Sequence, residues 1–361
     1  MTLRSPRPTP DDASRRPEPP ARVGPAQGPR PIELPATMPA WLNDRYGSAT
    51  GTRQATVSTP QPGRGEVLLR IRATALNAAD VRLMLGDPLL LRPMFGIRRP
   101  KQPIRGNDVA GTVVAVGEGV DASRIGEEVV VELSSGGGLA PYAIARADRL
   151  VARPDALAPE VAATLPISGG TAVQALDAAG VSRGQRVLVI GASGGVGTFV
   201  VQLAALRGAE VWATCGEPNR ALVETLGATR TFDYRTTDLA SLPASFDAII
   251  EIAGSRPLRR LTRLLTPTGV VAMVGGDGGR VLGPIPRILR GLLLSIGSRR
   301  SIRMVAAVAK RDVNEQLVAL ALAGRITPVI ERTLPWDAAV EGLARLESGH
   351  TVGKVVVLGC E

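Results

Sequence analysis

The chain has 361 residues, 44% of them hydrophobic, with 41 glycines and a net charge of +10. That is long enough for two domains and ordinary for an α/β protein rich in tight turns. Its two cysteines, Cys215 and Cys360, and its one histidine, His350, exclude a Cys₄ zinc site and fit no metal or disulfide spacing. Unspaced thiols suit a reducing compartment, so a cytoplasmic protein is expected, and no apolar run approaches the ~20 residues that span a bilayer.

Residues 1–37 hold ten prolines, six arginines and four acids. Such a segment buries too little surface to offset its ordering entropy and is expected to be disordered; it also lacks the apolar stretch of a signal peptide. From Glu66 the pattern predicts strands over 67–71, 109–116 and 128–133, punctuated by Gly106, Gly111, Gly117 and Gly126. Short strands at this spacing describe an irregular β unit over 38–160. Near 160 the rhythm changes. Strands at 187–190, 210–214, 231–234, 246–251 and 270–274 alternate with apolar helical stretches, which predicts a doubly wound parallel sheet over 161–325. Short strands return at 326–332 and 354–358 around a helix at 336–346. Residues 326–361 are therefore expected to complete the first unit, leaving a ligand cleft between two domains.

The positive charge is uneven. Residues 82–105 carry six basic groups against one Asp, and 280–303 carry six against none. The run 285–296 mixes Arg with Leu and Ile at near-helical spacing, predicting one apolar and one charged face. Two uses of these segments are open: a cationic rim favouring anionic or membrane-associated apolar acceptors, with membrane contact at most peripheral, or the contact of a homodimer. Nucleic acid is not expected as a partner, because aromatics are only 3% of the chain and none falls in 280–303.

The sharpest local signal is Gly191-Ala192-Ser193-Gly194-Gly195-Val196-Gly197. It follows a strand directly and opens a helix over 198–207, a context that sets backbone N–H groups against a pyrophosphate. Gly191 would make the tight turn, Gly194 would let the ligand approach, and Gly197 would let helix pack on strand. The end of the second strand reads Ala213-Thr214-Cys215-Gly216. NAD sites carry an acid there for the ribose 2′-OH. With none, a 2′-phosphate has room, and Arg220 could neutralise it, although Glu217 opposes that. NADP(H) is favoured over NAD(H).

Several stretches together resemble one family: Ala75-Leu76-Asn77-Ala78-Ala79-Asp80, Gly106-Asn107-Asp108-Val109-Ala110-Gly111, Leu165-Pro166 with Gly170-Thr171-Ala172, the glycine loop, Leu226-Gly227-Ala228, and Gly353-Lys354-Val355-Val356. From Met38 to Leu358 the chain resembles the zinc-independent quinone-oxidoreductase branch of the medium-chain dehydrogenases/reductases, with its zeta-crystallin-like and reticulon-interacting members. The resemblance implies a GroES-like β domain plus a Rossmann domain. Zinc-dependent relatives read Gly-His-Glu where this chain has Gly106-Asn107-Asp108, so no metal is expected. Without a Lewis acid to hold an alkoxide, the easier reaction is hydride delivery from NAD(P)H to a quinone or an activated carbonyl or alkene. Positioning and oxyanion donors, each worth roughly 3 kcal/mol, would then be the protein's contribution.

By the same resemblance Asn77 and Asp80 are the catalytic residues beside the nicotinamide. Thr171, Ser193, Gly195, Val196, Thr214 and Lys354 would contact the cofactor, Tyr234 would pack on its adenosine part, and Gly275 and Gly276 would border the nicotinamide pocket. Plainer readings stand beside these: Asn77 and Asp80 could simply cap a helix, Thr171 could start one, Tyr234 could end a strand, and Arg220 could be a solvated charge. One departure matters. Related reductases carry a Tyr about five residues after the Asn, whereas this chain has Arg82 and no Tyr over 77–105. That disfavours a Tyr proton donor and tilts the reading towards quinones, which can take a proton from water. An enoyl or enone reductase, a zinc-free alcohol dehydrogenase and a catalytically silent NADPH-binding sensor remain the alternatives.

Overall fold

The computed structural model describes residues 34–253, 256–275 and 279–360. The expected disorder of 1–37 therefore falls almost wholly outside them, but Thr37 already belongs to the first strand. That strand, β1 (Thr37–Leu42), pairs antiparallel with β2 (Arg53–Ser58).

Next come β3 (Glu66–Leu76), β4 (Asp108–Val116), β5 (Glu128–Glu132), β6 (Tyr142–Arg146) and β7 (Val151–Ala152). Two strands from the other end of the chain, β14 (Ile330–Leu334) and β15 (Lys354–Leu358), join them in one sheet of order β14-β15-β3-β4-β5-β7, with β6 also on β3. The closure is antiparallel, with Val355 opposite Leu76 and Leu358 opposite Ala73. β3 has the residues for a central role, since almost every side chain from Val67 to Leu76 is buried on one face or the other.

Between these segments lie β8 (Arg186–Ile190), β9 (Glu210–Cys215), β10 (Arg230–Asp233), β11 (Phe246–Glu251), β12 (Leu265–Met273) and β13 (Ser301–Met304). They form an all-parallel sheet of order β10-β9-β8-β11-β12-β13. Helices cover both faces of such a sheet, so its central strands are continuous apolar runs; Val187, Leu188, Val189, Ile249 and Ile250 are fully buried. The order reverses at β8, and ligands bind in the crevice beyond the strand ends at such a switch point. The two sheets share a core: Ala75, Ala110 and Val356 belong to the same buried cluster as Leu165, Val187 and Phe199.

The elements that the sequence pattern misses are explained by their residues. β1 contains Pro39, and β2 is short and mostly exposed, with no alternation of large apolar groups. β12 starts at Leu265 rather than 270, because it runs on directly from the helix Leu258–Leu264. The last helix begins as a 3₁₀ turn, Trp336–Ala338, before the α-helix Ala339–Glu347.

Candidate active site

The helix Gly195–Leu206 begins inside the glycine loop, three residues earlier than expected. Gly191 has φ +88°, a backbone conformation that a Cβ strains, and a Cβ there would meet Ala253 at 2.7 Å. On Gly197 a Cβ would lie 2.1 Å from the Gly191 carbonyl oxygen. Gly194 is different: it is extended (φ −80°, ψ 174°), and its nearest neighbour would be 3.7 Å away. The space over Gly194 is therefore open to a ligand. Thr214 ties the loop down, its carbonyl accepting from the Ala192 N–H at 3.0 Å.

A cavity of about 790 Å³ lies over this loop, lined by Gly191, Ser193, Gly194, Thr214 and Gly216, by Tyr234, Arg235 and Arg256, and by Gly349–Thr351 from the β domain. No carboxylate lines it among the described residues. Arg235 stacks on the Tyr234 ring, its guanidinium 4.8 Å from the centroid. Its Nη1 lies 3.1 Å from where a Cβ on Gly216 would be. The end of β9 thus faces a cation.

That cation is not Arg220. Arg220 donates from Nη1 to both Glu217 oxygens at 3.2 Å and from Nε to Thr231 at 2.9 Å, and it does not line the cavity. It neutralises Glu217 instead. Arg235 and Arg256 were missed at the sequence level, although Arg235 directly follows Tyr234.

Behind the loop is a buried polar cluster that joins the two sheets. Lys354, at the start of β15, donates from Nζ to Asn77 Oδ1 at 2.5 Å and lies 3.8 Å from Asp108 Oδ2. Asn77 donates from Nδ2 to Asp108 Oδ2 at 3.0 Å and to the Ala75 carbonyl at 3.2 Å, and Ser168 Oγ donates to its Oδ1 at 3.5 Å. Asp108 also accepts from the Ile167 N–H at 3.1 Å. The π-helical turn Leu165–Gly169 presents that N–H and the Ser168 hydroxyl together. The Lys354 stem passes 3.1 Å from where a Cβ on Gly195 would lie, and the neighbouring Gly353 N–H donates to the Ser193 carbonyl at 2.8 Å.

The geometry shows how the two residues expected to be catalytic are held. An amide side chain has two donors and two acceptor lone pairs. All four on Asn77 have a partner within the protein. Asp80 is likewise committed, with Oδ2 on the Asn77 N–H at 2.8 Å and Oδ1 on the Gly106 N–H at 2.9 Å. It closes a capping box on the helix Ala78–Leu85. Lys354, expected on the cofactor, has its ammonium turned to Asn77 and Asp108. Thr171 sits buried in the first turn of the helix Gly170–Ala179 and does not line the cavity. Val196 packs into the core. Gly275 is pressed against the end of β11, where a Cβ would be 2.2 Å from the Ile252 oxygen. Gly276 lies outside the described residues.

Burial sets the charges in this cluster. It pushes the Asp108 carboxyl up to about 8, against the opposing pull of Lys354. Burial also raises Asp80 and lowers Lys354 from their usual values.

The described residues do not make a zinc site. Asn107 donates its amide to the Leu133 carbonyl at 3.0 Å, Asp108 is consumed by the cluster, and His350 is on the rim of the other cavity. No group of three or more His, Cys, Asp or Glu converges among the described residues.

A GroES-like β domain docked on a six-stranded Rossmann sheet, with a carboxylate-free cavity over its glycine loop, defines a two-domain nicotinamide-dependent oxidoreductase. The family models that match are the alcohol dehydrogenase GroES-like domain, over residues 63–155, and the zinc-binding dehydrogenase, over 226–357. The chain is 34% identical to a chloroplast envelope quinone oxidoreductase homolog of Arabidopsis thaliana, across 87% of this chain and 96% of that one. It is 30% identical to a 2-methylene-furan-3-one reductase of Solanum lycopersicum, across 90% and 80%. The structure of the quinone oxidoreductase from Coxiella burnetii superposes with a TM-score of 0.81 at 25% identity, covering 90% of this chain and all of that one. The chain belongs to the quinone-oxidoreductase branch of the medium-chain dehydrogenases/reductases and is an NAD(P)H-dependent oxidoreductase.

Proposed function

We propose that the protein uses NADPH in preference to NADH, and reduces quinones or related activated carbonyl or alkene acceptors without zinc. The observation that carries the cofactor reading is a nucleotide cavity holding two guanidiniums and no carboxylate. A ribose 2′-phosphate would be attracted there, whereas a bare 2′-OH would find no carboxylate partner. The glycine loop and the start of the helix Gly195–Leu206 would hold the pyrophosphate, and Thr214 and Tyr234 would flank the adenosine. When bound, the nicotinamide supplies a hydride.

An apolar cavity of about 250 Å³ lies beside the helix that Asn77 caps, with Tyr46, Leu83, Leu91, Phe95 and Pro284 in its wall. It suits a flat hydrophobic ring. Tyr46 donates its hydroxyl to the Gly96 carbonyl at 2.6 Å, so it is engaged and not poised as an acid. That favours quinones, whose reduced oxygens take protons from water. Cys215 is a buried free thiol, in keeping with a reducing compartment such as the cytoplasm.

Arg235→Ala should weaken NADPH binding about tenfold, roughly 1.4 kcal/mol, and leave NADH unchanged. Arg220→Ala, which only releases Glu217, should matter much less. Fluorescence titration of both variants with both cofactors checks this, and equal affinity of the wild-type protein for NADH and NADPH would overturn it.

A further inference from the structure

The helix Ile285–Ser295 is built with its polarity reversed. Arg287 turns inward and donates to the fully buried Glu251 at 2.6 Å and to the Arg256 carbonyl at 2.6 Å, while Ile288 and Leu294 pack beside it. Three of the helix's four leucines point out. Leu289, Leu292 and Leu293 are 55%, 57% and 67% exposed, and Ile296 just beyond is 76% exposed. The expected division into one apolar and one charged face holds, but its orientation is turned, because the buried carboxylate of Glu251 claims an arginine for the inner face.

A second stretch lies against the first. Leu89 and Leu90 donate their N–H groups to the carbonyls of Arg280 and Val281, at 2.9 and 3.1 Å. This brings the exposed Met94, Phe95 and Ile97 onto the same lobe. Most of the exposed large hydrophobic side chains among the described residues are gathered here. No acid occurs over 88–107 or 278–311. Beside the helix opens a cavity of about 630 Å³ whose wall includes Arg259, Arg290, Leu293 and Leu294.

We propose that this lobe is a docking surface for an anionic lipid bilayer. Leucines interspersed with arginines suit the boundary between acyl chains and headgroups, where apolar burial and attraction to anionic lipid add together. Arg259 and Arg290, flanking the cavity, would receive headgroup phosphates. A second copy of the chain fits less well: self-association through this face would set one strongly cationic surface against another, with Asp87 the one carboxylate that segments 82–105 and 280–303 offer to pair them. No described helix is long and apolar enough to cross a membrane, so docking would be peripheral.

The test is co-sedimentation of the full chain with vesicles of phosphatidylcholine alone and with an equal mixture of phosphatidylcholine and phosphatidylglycerol. The expected result is binding to the mixed vesicles only, weakened by salt. Leu292→Asp with Leu293→Asp should lower that binding at least about tenfold while NADPH affinity stays unchanged. Arg290→Glu should lower it as well, with the apolar face left intact. Failure to bind the anionic vesicles, or equal binding by all the variants, would overturn the proposal. A dimer in sedimentation velocity that the leucine variants dissolve, with no vesicle binding, would assign the face to a second copy instead.

Discussion

Gly197→Ala should abolish cofactor binding and destabilise the fold together, whereas Gly194→Ala should lose the cofactor alone. A Cβ at 197 would stand 2.1 Å from the Gly191 oxygen and 2.7 Å from the Ala192 backbone. Neither neighbour is a flexible side chain, so helix and loop must part. Overpacking of this kind costs about 1–3 kcal/mol, and the displaced loop no longer presents its N–H groups; a loss of NADPH affinity beyond about a hundredfold is expected. At 194 the backbone conformation suits any residue and the space is empty, so the melting temperature should hold. The added methyl would stand where the ligand comes close, and affinity should still drop. Thermal unfolding and NADPH titration of both variants separate the two effects. Unchanged NADPH binding by Gly194→Ala would remove the loop from the cofactor site.

Lys354→Met should be the most damaging substitution outside the loop. It keeps the length of the stem beside Gly195 but deletes the ammonium, leaving Asp108 without its cation and Asn77 Oδ1 without its shortest donor. Removing one partner of a buried pair costs about 3–5 kcal/mol. Protonation of Asp108 softens this, so about 3 kcal/mol is expected near neutral pH. The sign of the pH dependence follows. Burial holds the Asp108 carboxyl up at about 8, and loss of Lys354 raises it further. The folded variant then keeps a proton that the unfolded chain releases above its ordinary carboxylate value of 3.8. Stability of the variant relative to wild type should hold steady from about pH 5 to 8 and fall as pH rises above about 8, where only wild-type Asp108 releases its proton in the fold. Above about pH 8, Asp108→Asn on top of Lys354→Met should restore much of the loss, because it removes a carboxyl that would otherwise charge without a partner. Urea denaturation of the single and double variants across that range checks this; additive losses would contradict a coupled pair.

The parts of the molecule legible in the sequence are those written locally. The glycine loop, the β-branched runs of the parallel sheet and the return of strands after 325 each lie within a short window, where period and turn residues suffice. What the sequence could not show is where charged side chains turn. Arg220 and Arg235 both sit near the cofactor's expected 2′-end, but only packing reveals that Glu217 and Thr231 hold the first while Tyr234 aims the second. Asn77 matches the family pattern, but the sequence does not show that its side chain meets Asp108, Ser168 and Lys354, which come from distant parts of the chain. The helix Ile285–Ser295 has the right period and the wrong polarity, since Glu251 on a distant strand decides which face is inward.

Hydride delivery from NADPH to an activated acceptor with no metal is open to test by turnover of metal-stripped enzyme. Protein treated with a chelator, and shown by metal analysis to hold far less than one zinc per chain, should oxidise NADPH with naphthoquinones or enones as fast as untreated protein. NADH should be the poorer donor. Activity that vanishes on chelation and returns with zinc, or no turnover with any quinone or enone although NADPH binds, would contradict it.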